Sequence, residues 1–333
     1  MERSFRQALI KRDIGDDDIF PRRFGVNAVF DVEPRNVWGV DVARTKPAEE
    51  GGAWAYDPPL KTEADFDRLR FPVIRYNAEA TQRAMDRAHE VLGDILPVER
   101  VCPPPVPGAC HPTLGHVAAD LLGLEQMMMD LVMAPELAHR LMAHVRDGAL
   151  RALDQLEASG VMTPNANGPM YCFDPIGPAG PVTAKNCVCA ANSQEFDQVS
   201  PAMWEEFCLQ YQKPIFARYG LAAYGCCENL THKISGVLSI PNLRIFVCSA
   251  WTNLDTVLEK VGPQYVIMWR QKASDVVFPH SVRELKRQLD EGVDKLKGRR
   301  FQIVLRELQT LAGHPDRLHV WTRLAKEAAA RNA

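Results

Sequence analysis

Cys226, Cys227 and Glu228 follow one another directly, just past the short apolar run Leu221–Tyr224 that ends at Gly225. Two thiols and a carboxylate place metal-ligand and proton-transfer chemistry within three residues. Neighbouring side chains at a strand end point in opposite directions, so one thiol of the pair faces the end of the strand. Cys226 suits a thiolate metal ligand, and Glu228 a ligand or a general acid. Free cysteine is also a common small core residue, and that reading weighs most for Cys227. His232 suits a surface or capping histidine better than a ligand.

Other reactive groups stand at comparable places. Glu195, after Gln194, lies between a strand and a helix, where it either reaches the strand ends or favours a helix N-terminus as an anion. Trp269 and Arg270 end one apolar run, and Arg306, Glu307 and Gln309 follow another. A cation there holds a substrate carboxylate or phosphate, or pairs with its neighbours across the rim. Asn165, which opens a long Gly- and Pro-containing loop, joins the substrate-binding candidates. Cys187 and Cys189 alternate along a strand and share a face. With Cys226 they would complete a metal site, although buried core thiols explain them as well. Met127, Met128 and Met129 read most simply as core.

These groups need strands to carry them. The stretch 221–251 reads as strand, loop, helix, strand, which is a parallel crossover. In folds built from such units, residues just past the C-terminal strand ends line the site. Helices are expected at 78–93, 111–133, 135–159, 201–219, 231–238, 252–261, 281–296 and 315–331. Pro135 and Pro201 take first helical turns, and Ser200 caps. Strands are expected at 95–101, 161–164, 187–191, 221–224, 243–248, 264–269 and 301–305. Two more short candidates lie at 26–32 and 37–42. Counting one near residue 40 gives eight, and alternation with helices implies a parallel sheet. The expected fold is α/β: a (β/α)8 TIM barrel over 71–333 with an irregular N-terminal cover over 1–70, in one domain. Trp38, Trp54 and Tyr56 would pack that cover onto the body.

The chain has 333 residues and a net charge of −3, with no basic block, which argues against nucleic acid as a partner. No apolar run approaches membrane-spanning length. Nine cysteines without an export signal suggest reduced thiols and a cytoplasmic protein. The glycine patterns of dinucleotide and P-loop folds are missing, as are HExxH and GxSxG, which speaks against four large enzyme classes.

The order of short motifs resembles the uroporphyrinogen decarboxylase superfamily, in its methyltransferase-like branch. The matching elements are FGV at 24–26, EEGGAW at 49–54, DPPLK at 57–61, ATQRAMDRA at 80–88, GDILPV at 93–98 and GLEQMMMD at 123–130. SQEF at 193–196, VSPAMWEEF at 199–207, YGCCENL at 224–230, IPNLR at 240–244 and HPDRLHVWT at 314–322 continue the series. The resemblance covers nearly the whole chain. It implies a (β/α)8 barrel with its site at the C-terminal mouth.

It also implies a choice of chemistries. The arginine-rich N-terminal motif that grips tetrapyrrole carboxylates in the decarboxylases has no counterpart here. The zinc thiol-methyltransferases use a His-x-Cys pair and a later cysteine. Here the pair reads Tyr224 and Cys226, and no cysteine follows Cys248, so zinc stays an open question with Cys226 a weak ligand. Gln309 stands where this branch has histidine. In size, the chain is most similar to the corrinoid-dependent O-demethylase methyltransferases. That implies methyl transfer from a small methoxylated, aromatic substrate to the cobalt of a separate corrinoid (cobalamin) protein, and leaves a homodimer open. Glu228 and Glu195 would supply the proton for the leaving oxygen. Tyr224 or Arg270 would position the substrate, and Trp38, Trp54, Tyr171 and Phe173 could wall an aryl pocket. The alternatives are a decarboxylase or lyase acting on a carboxylated substrate, and a non-catalytic ligand-binding barrel.

Overall fold

The computed structural model describes residues 2–49, 52, 54–105, 112–166, 173–174, 176–177 and 180–332. The N-terminal part is more regular than its many Pro and Gly residues predict. It opens with a helix, α1 (Glu2–Ile14), that buries none of its side chains. The apolar stretch 26–32 is not one strand. It divides into β1 (Phe24–Asn27) and β2 (Phe30–Glu33). No strand forms over 37–42, because Val37 takes φ +68°, outside the region a β-branched residue adopts in a sheet. Instead β3 (Ala43–Thr45) and β4 (Ala55–Asp57) make an antiparallel ribbon. β2 pairs antiparallel with β5 (Val73–Tyr76).

Of the cover's aromatics, Trp38 docks on the body. Gly148 makes this docking fit, since a Cβ there would lie 2.6 Å from the indole. Trp54 and Tyr56 remain exposed, contrary to the expectation that both would pack.

Asn77 caps α2 (Ala78–Leu92) by accepting from Ala80 N at 2.8 Å. β6 (Val98–Val101) pairs parallel with β1. The single helix expected over 111–133 is two, α3 (Leu114–Leu122) and α4 (Leu124–Met133). Gly123 separates them at φ +89°, which only glycine adopts without strain. Pro135 starts the long α5 (Pro135–Ala158).

Five parallel strands then carry the body: β7 (Val188–Ala191), β8 (Leu221–Tyr224), β9 (Leu243–Cys248), β10 (Val266–Gln271) and β11 (Arg300–Leu305). They lie side by side in sequence order. Between β7 and β8 run α6 (Pro201–Trp204), a π turn (Glu205–Leu209) and α7 (Gln210–Phe216), which contains Pro214. α8 (Ile234–Leu238), α9 (Leu254–Lys260), α10 (Ala273–Val277) and α11 (Val282–Lys295) fill the later crossovers, and α12 (Arg317–Arg331) closes the chain. Among the described residues, no helix is long and apolar enough to cross a membrane.

The strand expected over 161–164 does not form, yet segment 161–166 bridges β6 and β7 by hydrogen bonds. Thr163 N donates to Cys102 O at 3.0 Å, and Cys102 N donates to Thr163 Oγ1 at 2.8 Å. Asn165 exchanges two bonds with β7: its Nδ2 donates to Val188 O at 2.8 Å, and its Oδ1 accepts from Val188 N at 2.7 Å. Hydrogen bonds therefore run from β1 through β6 and this segment to β7 and on to β11. Among the described residues, β11 and β1 end the series without a ladder joining them. The parallel partner of β6 is β1, not the strand expected near residue 40.

Both faces of the sheet are buried, which explains its nearly continuous apolar strands. Side chains alternate along each strand. Cys189, Ala222, Tyr224, Phe246, Cys248 and Ile267 face the helices and join Leu114, Leu141, Val145 and Trp204 in the main core. Val188, Ala223, Ile245, Val247 and Met268 face the other way and cluster with Ala166 and Phe173.

Candidate functional site

β8 leaves the sheet through Gly225, whose φ is +114°. A Cβ there would stand 2.9 Å from both Leu230 Cδ1 and Val247 Cβ. Only glycine fits this turn, and it brings the next three residues to the C-terminal ends of the strands.

Glu228 is 2% exposed. Its Oε1 accepts from Ser193 N at 2.9 Å, and its Oε2 accepts from Cys226 N at 2.9 Å. Its carbonyl accepts from Ser249 Oγ at 2.8 Å. The side chain thus joins the segments that follow β7 and β8, and the carbonyl ties in the segment that follows β9. Burial pushes its carboxyl above the usual range, while the backbone N–H bonds and the Arg270 charge pull the other way.

Arg270 lies on the sheet face that carries Met268, and its side chain is 1% exposed. Its Nη1 donates to Cys226 O at 2.6 Å and lies 3.6 Å from Cys226 Sγ. Its Nη2 meets Met268 Sδ at 3.9 Å. Its Nε is buried with no partner. The carboxylate facing it belongs to Glu307, at 3.8 Å, whose side chain is 35% exposed. One short bond to a neutral carbonyl does not offset burial of a guanidinium, which costs on the order of several kcal/mol.

Glu307 follows β11 in a left-handed conformation, with φ +64°. Its Oε1 also accepts from Cys227 Sγ at 2.9 Å. Burial raises the Cys227 thiol well above the ordinary range, and the Glu307 carboxylate adds to the effect. The two sulfurs, Cys226 Sγ and Cys227 Sγ, are 3.5 Å apart. The structure therefore gathers Cys226, Cys227, Glu228, Arg270 and Glu307 from the ends of β8, β10 and β11.

The other candidates lie elsewhere. Tyr224 points to the helices, where its hydroxyl donates to Gln212 Oε1 at 3.0 Å and its ring packs on Trp204 and Phe216. Trp269 packs against α11 at Gly292, on the opposite face from Arg270. Asn165 serves as the strand bridge already described. Glu195 packs on Gly115 of α3, with Oε1 3.4 Å from His116 Nδ1. That carboxylate raises the His116 pKa, against the opposing effect of burial. Gln309 and His232 are exposed. Phe173 belongs to the inner cluster, Trp38 to the main core, Trp54 is exposed, and Tyr171 lies outside the described residues.

Ser193 and Ser249 hold Glu228 but carry no sequence signal beyond lying just past β7 and β9. Cys187 and Cys189 sit in the main core with Cys226 apart from them. Among the described residues, no three His, Cys, Asp or Glu side chains converge on a point that could hold a metal ion. The guanidinium beside Cys226 Sγ further disfavours a second cation there. Among the described residues, this donor set does not fit zinc.

No family model matches the chain, and no curated protein matches it. Among solved structures, it is similar to a methyltransferase from Methanosarcina mazei, with a TM-score of 0.51 and 11% sequence identity. The likeness covers 96% of this chain and 83% of the other. At that identity it speaks for the fold.

Proposed function

We propose that this chain is a methyltransferase that takes the methyl group from a small methoxylated compound, aromatic in the first instance, and passes it to the cobalt of a separate corrinoid protein. The reading includes a closed (β/α)8 barrel of the uroporphyrinogen decarboxylase superfamily. What supports it is that the polar cluster stands at the C-terminal strand ends of a chain whose fold resembles a methyltransferase over 96% of its length. The motif series of the sequence points the same way.

An ether oxygen leaves poorly as an anion, so the site must deliver a proton or stabilise the charge. Glu228 has both oxygens bound to backbone N–H groups, so we assign it to positioning Cys226 and Ser193. Glu307 is the half-exposed carboxyl of the cluster and takes the proton-delivering role. Arg270 orients the substrate. The corrinoid is supplied by the partner protein, and no residue of this chain is assigned as its ligand.

The test is an anaerobic assay with methoxylated aromatics and cob(I)alamin, free or protein-bound, read by the spectrum of methylcobalamin. Methylation in the wild type and a loss of roughly 10²–10⁴-fold in Glu307→Gln are expected. The buried Arg270 guanidinium also suits a lyase acting on a carboxylated substrate. Release of carbon dioxide from aromatic carboxylates without methyl transfer would establish that second reading instead. Ligand binding with neither reaction would leave a binding barrel.

A further inference from the structure

Arg270 is the buried cation of the cluster, and its compensation is incomplete. Among the described residues, Nη1 is engaged by a neutral carbonyl at 2.6 Å and a thiol sulfur at 3.6 Å, Nη2 has only a thioether at 3.9 Å, and Nε has no partner. A guanidinium presents a planar fork that matches a carboxylate with two parallel N–H···O bonds. Glu307 faces this fork without closing on it: its carboxylate stays 3.8 Å from Nη1 and accepts from Cys227 instead. Its backbone holds a left-handed conformation that a non-glycine residue adopts only under local strain. A strained loop residue thus places a loosely held carboxylate over a buried cation. Met268, Val247 and Ala223, which share this face of the sheet, are apolar and fully buried.

We propose that Arg270 is the seat for a carboxylate of the small-molecule substrate, and that Glu307 stands in for that carboxylate until the substrate displaces it. The substrate class is therefore a small compound bearing one carboxylate, bound with its acid group at Arg270. This rests on the methyltransferase reading only for the methoxy group. The carboxylate seat stands on the geometry of Arg270 alone.

Binding is measured calorimetrically with para-methoxybenzoate and its neutral analogue para-methoxybenzamide, in the absence of any cobalamin. The acid is expected to bind at least about tenfold more tightly than the amide, the scale of a hydrogen bond to a charged group. Glu307→Gln should tighten binding of the acid several-fold and leave the amide unchanged. Arg270→Met should remove the preference for the acid. Melting temperatures on the same samples identify any variant that fails to fold, and the acid–amide comparison on the wild type remains decisive in that case. Equal binding of acid and amide overturns the seat. Unchanged affinity for the acid in Glu307→Gln overturns the stand-in. Preferential binding of the acid with no methyl transfer would sink the methyltransferase reading and keep the seat. Methyl transfer from the amide as fast as from the acid would do the reverse.

Discussion

Glu228 illustrates how a reactive residue type becomes structural. A carboxylate accepts on both oxygens, and here both meet backbone N–H groups from different loops. Glutamine keeps one acceptor and turns an NH2 group towards the other N–H. Glu228→Gln should therefore lower stability by roughly 1–3 kcal/mol, the cost of one unsatisfied buried donor. The effect depends on pH in a definite direction. Burial raises the folded-state pKa of Glu228, so the folded chain holds this proton more tightly than the unfolded one. The resulting stability is fully present below the unfolded value, near about 4.3, and is lost as pH rises through the raised folded value. The wild type's advantage over Glu228→Gln should thus be largest in acid and shrink as pH climbs. Urea denaturation at a series of pH values measures it, and an advantage that grows with pH would show that the two N–H bonds outweigh burial in setting the charge state of Glu228.

At the scale of elements, the turn after β8 decides whether the cluster exists. Gly225 combines φ +114° with a Cβ position blocked from two sides, by Leu230 and Val247. Gly160 also has positive φ, at +66°, but open space around it. The pair separates backbone strain from collision. Gly160→Ala should cost about 1 kcal/mol. Gly225→Ala should cost about 2 kcal/mol or more, because overpacking adds to the strain. It should also abolish carboxylate binding, since Cys226 O, the partner of Arg270, sits one residue beyond. Denaturation curves for the two variants, with the same calorimetric titration, provide the check. Equal stability losses would mean that β9 yields to the new methyl group.

Across the whole molecule, the two ends of the chain meet. His319 Nε2 lies 3.0 Å from Asp13 Oδ2, and Lys326 Nζ lies 2.9 Å from Asp17 Oδ1. The Phe5 ring lies 5.9 Å from that of Phe24, tilted by 34°, and packs on the small cluster of Ala88, Leu92 and Val98. Exposed ion pairs contribute little, and α1 buries no side chain fully. Removing residues 1–14 should therefore cost less than about 2 kcal/mol and leave the carboxylate seat intact. Thermal unfolding of the shortened chain tests this. Failure to fold would show that α1 contributes far more than its contacts indicate.

Alternation of apolar runs and helical periods was enough to place β8, β9, α9, α11 and α12, because fully buried parallel strands have a composition that surface segments lack; it missed α10. The same rule located Cys226, Glu228, Arg270 and Glu307 at strand ends. It did not separate them from Trp269, one residue out of register with Arg270, or from Tyr224, the last residue of β8, both of which face the helices. Composition also hid α1, whose charged faces have no apolar stripe, and the break at Gly123, where a single dihedral overrides a helical pattern. Thus the sequence by itself determined the parallel strands β7 to β11 and which residue types stand at their ends, since both follow from local periodicity and turn chemistry. Only the tertiary structure decided that Glu228 is tied down by backbone N–H groups of two loops while Arg270 is left short of a counter-charge, because hydrogen-bond partners and desolvation are set by segments up to eighty residues apart in the chain.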